Sequence, residues 1–279
     1  MVSLADHLFS KKATEQDTKV NAPKFMPPEE LRVALPEPSI QLDQDSEWCL
    51  VEKPEGWQEI RFHDYGEIYD IPGLYEKLFY EILQCDSPAQ VCQLLAEHLR
   101  GQDATPSSLR VLDLGAGNGI VGQELKHVGA STIVGVDIVE QARKAALRDR
   151  PGVYTDYLIE DMTDLPEPAR RRLESFRFNC LTCVAALGFG DIPTEAFVRA
   201  YELVEPGGFV AFNIKRDFLD GGDLSGFAEL MRAMIDENIL EVSCTKAYPH
   251  RLATSGDPIE YVAIVGTKRA EVPAAMLSS

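Results

Sequence analysis

No run of eighteen apolar residues occurs in the 279-residue chain, so no segment reads as a membrane-spanning helix. The stretch from Met1 to Lys19 is polar, carries both signs of charge and lacks the apolar centre of a secretion signal, so a cytoplasmic location is expected. Positive charge is scarce: 27 Lys and Arg stand against 45 Asp and Glu, a net charge of -18. Such a surface repels phosphate backbones unless a basic patch is segregated. The short basic clusters, Arg170-Arg171-Arg172 and Lys215-Arg216, read as a solvated helix face or a strand end. Nucleic acid is therefore disfavoured as a partner. The six cysteines include one C-x-x-C, Cys180 and Cys183, and no second pair to complete a zinc site. Residues three apart on a strand point to opposite faces, so both read as small core residues and no metal is expected.

What is present divides the chain. Prolines at 23, 27, 28, 36 and 38 interrupt regular structure in residues 1–45. That segment reads as a disordered or loosely docked tail, with Phe25, Met26, Leu31, Val33 and Leu35 as its sticky positions. Residues 46–104 read as a hairpin and a helical cap. Two β-prone runs, from Trp48 and from Trp57, flank Lys53-Pro-Glu-Gly56. After Pro72, the residues Leu74, Leu78, Phe79, Ile82 and Leu83 recur at helical spacing. A second helix starts at Ser87-Pro88, with the serine as cap and the proline in the first turn, and runs through Leu99.

From residue 105 the pattern changes. Apolar runs at 110–114, 132–138, 153–159, 178–187 and 209–214 alternate with helical segments at 119–128, 139–149, 194–204 and 223–237. Such alternation predicts a parallel sheet covered on both faces. The runs 240–247 and 259–268 have no helix between them and should pair antiparallel at one sheet edge. The expected fold is α/β: a doubly wound, Rossmann-like, mostly parallel seven-stranded sheet with an antiparallel last strand over residues 105–270. A short tail, 271–279, follows.

The strongest motif is Val111-Leu-Asp-Leu-Gly-Ala-Gly-Asn-Gly119, a buried strand running into three glycines and then a helix. Glycines there permit a tight turn and close approach of a ligand to the backbone. Gly117 to Gly122 also matches the dinucleotide fingerprint G-x-G-x-x-G. Asp113 discriminates: a carboxylate there repels a pyrophosphate at the helix start. It suits the ammonium group of S-adenosylmethionine, which also carries a sulfonium and no phosphate. Asp137 ends the second strand, where a carboxylate accepts from both ribose hydroxyls; dehydrogenases use the same device. Asp161 follows the third strand, placed to accept from an adenine amino group with Met162 packed on the ring.

Residues 109–268 resemble a class I S-adenosylmethionine-dependent methyltransferase, a methyltransferase domain of the type 11/25 kind. The likeness rests on Asp113-x-Gly-x-Gly-x-Gly119, on Asp137, on Glu160-Asp161, and on Glu205-Pro-Gly-Gly208 before a strand. It implies that Gly115, Ala116, Gly117, Asn118 and Gly119 cradle the cofactor, with Ile138, Ala185 and Leu187 completing its contacts. It also implies an aromatic lid, which Tyr65 and Tyr69 resemble; a helical turn would put both on one face.

Methyl transfer from a sulfonium is an in-line displacement that needs alignment, exclusion of water and sometimes a base. His63 and His250 are the candidate bases. Arg61, Asp191, Asn213 and Arg216 are candidates for shaping the acceptor pocket. The Asn-Pro-Pro-Tyr motif of amide-methylating enzymes is absent; its place reads Ala185-Ala-Leu-Gly-Phe-Gly190, which has room for a planar or apolar group. A small-molecule acceptor is expected, its reacting atom oxygen, nitrogen or carbon. The rival readings are a nucleotide-dependent oxidoreductase and a non-catalytic binding protein on the same fold. Nothing in the pattern selects an oligomeric state.

Overall fold

The computed structural model describes residues 31–40, 42–102, 104–188, 190–219, 223 and 225–277. Phe25, Met26 and Phe189 lie outside the described residues. A small antiparallel sheet comprises β1 (Val33–Ala34), β2 (Trp48–Lys53) and β3 (Gly56–Arg61). The expected hairpin is β2–β3, with Trp48 opposite Arg61 and Lys53 opposite Gly56. β1 was not anticipated: Val33 pairs with Val51 and Ala34 with Leu50. Leu31, Val33 and Leu35 pack on a cluster that includes Cys49, Val51, Ile60, Phe62 and Leu78. The described part of the expected tail is thus docked, because its apolar residues pack against the cluster that the hairpin forms with Leu74, Leu78 and Phe79.

The large sheet holds β4 (Arg110–Leu114), β5 (Thr132–Asp137), β6 (Asp156–Ile159), β7 (Phe178–Cys183), β8 (Val204–Lys215), β9 (Leu240–Leu252) and β10 (Pro258–Lys268). Its spatial order is β6-β5-β4-β7-β8-β10-β9, with the first five strands parallel and β10 antiparallel to both neighbours. Strand order reverses between β4 and β7, and a crevice opens beyond the carboxyl ends of the strands at such a point. The seven-stranded mixed sheet is therefore as expected.

Period-two alternation sorts the sheet residues onto two faces. Leu112, Leu114, Val134, Val136, Leu181, Cys183, Phe212 and Ile264 enter one core. Val111, Ile133, Cys180, Ala211 and Ala263 enter the other. Cys180 and Cys183 are fully buried on opposite faces, as their spacing requires. Helix α1 (Tyr65–Asp70) belongs to the cap, and α2 (Ser87–Arg100) packs with α3 (Ile120–His127) on the second core. Then come α4 (Glu140–Asp149), α5 (Glu167–Glu174), α6 (Thr194–Glu202) and α7 (Phe227–Asp236). Helix α5 carries no clear apolar periodicity in the sequence, because it brings only Ala169 and Leu173 to the core amid charged residues.

Three local readings are corrected. β7 stops at Cys183 and not at residue 187, because Ala185 adopts a left-handed φ of 57° and turns the chain off the sheet. The helical segment expected after Pro72 is π-helical over Glu76–Ile82. Ser87 does not cap α2; its hydroxyl faces Tyr248 and His250 at 2.6 Å each.

Candidate functional site

A cavity of about 320 Å³ lies at the switch point. The glycine loop forms its floor. Gly115 and Ala116 donate to the Val136 carbonyl at 2.9 and 3.2 Å, drawing the loop over the end of β5. Gly117, at φ 53°, donates to Asp137 Oδ2 at 2.8 Å. A Cβ at Gly117 would lie 2.6 Å from the Tyr69 hydroxyl, so only glycine lets the cap close on the loop.

The cap supplies an aromatic roof. Tyr65 and Tyr69 stack at 6.1 Å between ring centroids, and Tyr69 and Tyr75 at 5.3 Å. Tyr69 and its neighbours also rest on Ala142 and Ala145 of α4. The two tyrosines therefore share one face and line the cavity while packing on Tyr75. Glu76 joins roof to floor: its carboxylate accepts from Asn118 Nδ2 at 2.9 Å and pairs with Arg150 at 2.8 Å, all three buried.

Asp137 lines the cavity; burial raises its pKa, opposed by the amides of Val139 and Gly117. Asp161 also lines it, and Oδ1 accepts from the Thr163 amide and hydroxyl at 2.8 and 2.7 Å, which hold the carboxyl below its usual range. Ile138, 64% exposed, and buried Met162 line the wall beside Glu160. Tyr65, Tyr69, Gly115, Ala116, Gly117, Asn118 and Ala185 complete the expected set that the cavity brings together.

Four expected residues stand outside it. Asp113 does not line the cavity. It is 1% exposed and accepts from Thr182 and Tyr154 hydroxyls at 2.7 Å each. Register explains this, since Asp113 sits beside Thr182 on β7, and burial pushes its carboxyl up to about 7. The Tyr154 hydroxyl also lies 3.3 Å from Ala116 O, so Asp113, by holding Tyr154, braces the glycine loop from beneath. Gly119 packs under Tyr154 and Arg150, and Leu187 is buried in the first core. His250 is 4% exposed, bonded to Ser87 and packed against Tyr261 with ring centroids 4.2 Å apart. Burial and Arg251 hold its pKa well below the usual value, and it reaches the described lining residues only through Cys85 Sγ, 3.8 Å from its Nδ1.

His63 does line the cavity, and its Nδ1 lies 3.0 Å from Asp191 Oδ2. Of the other pocket candidates, Arg61 bonds the Asp45 carbonyl, Arg216 pairs with Glu260, and Asn213 is buried behind the wall. Tyr75, Tyr80, Cys85 and Pro88 line the inner end and were missed, because their helical spacing reads equally as core. The charged lining residues are Asp137, Glu160, Asp161 and Asp191; no Lys or Arg is among the described lining residues.

Curated relatives include the ubiquinone biosynthesis O-methyltransferase of Alkalilimnicola ehrlichii, 31% identical over 109 residues, covering 37% of this chain and 40% of that protein. The enzyme of the same name from Neisseria meningitidis serogroup A is 27% identical over 156 residues, covering 54% and 62%. The chain spans about two fifths of the length of the first of these relatives. Among solved structures, the magnesium protoporphyrin IX methyltransferase of Synechocystis PCC 6803 is 14% identical with a TM-score of 0.45, covering 64% of this chain and 78% of that one. The family described as Methyltransferase domain matches residues 84–234, which is more than half of the chain, and the protein belongs to that family.

Proposed function

We propose that the protein is an S-adenosylmethionine-dependent methyltransferase acting on a small-molecule acceptor. The observation that carries this reading is the charge of the cavity: four carboxylates, an aromatic roof and no basic side chain among its described lining residues. A cation is attracted to carboxylates and to aromatic faces, the latter by roughly 0.5–2 kcal/mol. A pyrophosphate would face four carboxylates with no basic side chain among the described lining residues, which disfavours the oxidoreductase. The glycine cradle fits the same group, since a side chain at Gly117 would fill it.

When bound, S-adenosylmethionine supplies an electrophilic methyl group on a sulfonium. Asp137 would accept from its ribose hydroxyls. Ile138 and Met162 would pack on the adenine, and Asp161 would accept from the adenine amino group. Tyr65 and Tyr69 would cover the cation and exclude water. His63 is the base for an acceptor proton, with Asp191 fixing its imidazole through Nδ1. An oxygen acceptor comes first, in keeping with the names of the curated relatives. No helix among the described residues is long and apolar enough to cross a membrane, and the six cysteines are free. The free thiols support a reducing, cytoplasmic location.

Thermal shift tests the reading. S-adenosylhomocysteine should raise the Tm by mass action and NAD should not. Equal shifts, or none with S-adenosylhomocysteine, overturn it. Transfer of labelled methyl to a panel of phenols and amines then identifies the acceptor atom.

A further inference from the structure

Ala185 is the first turn of the cavity wall after β7, and it holds a left-handed φ of 57° without being glycine. L-residues adopt that conformation at a cost, and such strain persists only where the surroundings over-determine it. The surroundings here are a buried polar network. The Ala185 amide donates to Asn213 Oδ1 at 2.6 Å. That leaves the two carboxamide hydrogens of Asn213, and they meet Ser87 Oγ at 3.0 Å and Tyr248 Oη at 2.7 Å. Ser87 and Tyr248 are themselves 2.6 Å apart, and Ser87 is 2.6 Å from His250 Nδ1.

The hydrogens close in one arrangement. Tyr248 donates to Ser87, Ser87 donates to His250 Nδ1, and the imidazole is neutral with its proton on Nε2. A proton on Nδ1 would leave the Tyr248 hydroxyl hydrogen without an acceptor in the network. Burial and the neighbouring Arg251 favour the neutral ring. Asn213 and Ser87 are 0% exposed, and the side-chain nitrogen and oxygen of Asn213 meet three protein partners.

We propose that Asn213 is a positioning residue, whose carboxamide holds Ala185 in the left-handed turn that shapes the cavity wall, with Ser87, Tyr248 and His250 fixing the carboxamide. The network ties the start of α2, β8 and β9 to one backbone amide beside the site. The inference rests on the methyltransferase reading, because the ligand used to test it is S-adenosylhomocysteine.

The experiment is calorimetric binding of S-adenosylhomocysteine to the full chain. Asn213→Ala should raise Kd about tenfold, because the left-handed turn at Ala185 loses the bond that holds it. Adding Ala185→Gly should recover most of that loss, since glycine takes the left-handed turn without penalty. A residue that merely stabilises the fold gives no such rescue. Tyr248→Phe keeps the ring and removes one partner of the carboxamide; it should raise Kd roughly threefold and serves if Asn213→Ala does not fold. Unchanged affinity in Asn213→Ala or in Tyr248→Phe, or no recovery with glycine, overturns the proposal. If the wild-type protein binds no S-adenosylhomocysteine, the methyltransferase reading falls first. If the wild type binds and the variants bind equally well, only the positioning role falls.

Discussion

Two aspartates at neighbouring strand ends do different work because their surroundings differ. Asp137 is reachable from the cavity and also anchors the glycine loop through the Gly117 amide. Replacing it with alanine should weaken S-adenosylhomocysteine binding by about 1.5–3 kcal/mol, the scale of charge-assisted hydrogen bonds; calorimetry checks this, and unchanged affinity removes Asp137 from the site. Asp113 is sealed off and its carboxyl is pushed up to about 7. Its folded pKa therefore exceeds its unfolded value, so the folded state binds the proton more tightly. Between about pH 4 and 7 this group makes stability fall as pH rises. Asp113→Asn should remove that component. The difference in urea midpoint between variant and wild type should grow in the variant's favour from pH 4 to pH 7; a pH-independent difference contradicts the buried-proton account.

At the scale of elements, the site is a joint between the cap and the glycine loop. The π-helical segment Glu76–Ile82 turns Glu76 inward, where Asn118 and Arg150 meet it. Arg150 also donates to the Asn118 carbonyl and to Gln123, so one guanidinium ties the loop, α3 and the cap. Removing one partner of a buried pair strands the other charge, at a cost of about 3–5 kcal/mol. Glu76→Ala should lose stability on that scale in urea denaturation and bind S-adenosylhomocysteine less tightly, because the roof is no longer latched. A loss below about 1 kcal/mol would mean that water reaches Arg150 and the latch is weak.

Across the whole molecule, the small sheet and the cap are extensions that close one side of the methyltransferase core. Glu47 and Arg251 pair in the interior, and Glu47 also accepts from the Thr254 amide at 2.6 Å, tying the hairpin to β9 and the turn after it. The Gln44 carboxamide reaches Tyr261 Oη at 3.0 Å. The segment before the hairpin is part of this closure, since Leu31, Val33 and Leu35 cover its apolar cluster. Deleting residues 1–40 should therefore lower stability by roughly 2–4 kcal/mol, the worth of uncovering a few aliphatic side chains. Urea denaturation checks this; an unchanged midpoint would show that the docked segment contributes nothing.

The sequence by itself determined the alternation of strands and helices, the glycine turn after β4 and the acids at the ends of β5 and β6. These are local properties: side-chain period, turn chemistry and the position of a residue relative to a strand end. It also placed Tyr65 and Tyr69 on one face, because four residues make one helical turn. The tertiary structure alone decided which polar groups see the cavity. Asp113 and Asp137 look alike in sequence, yet β7 brings Thr182 against the first, while the second lines the cavity. His63 and His250 look alike as loop or strand-end histidines, yet β10 brings Tyr261 over the second and seals it. Burial and hydrogen-bond partners come from strands distant in the chain, and no local pattern encodes which strand will lie alongside.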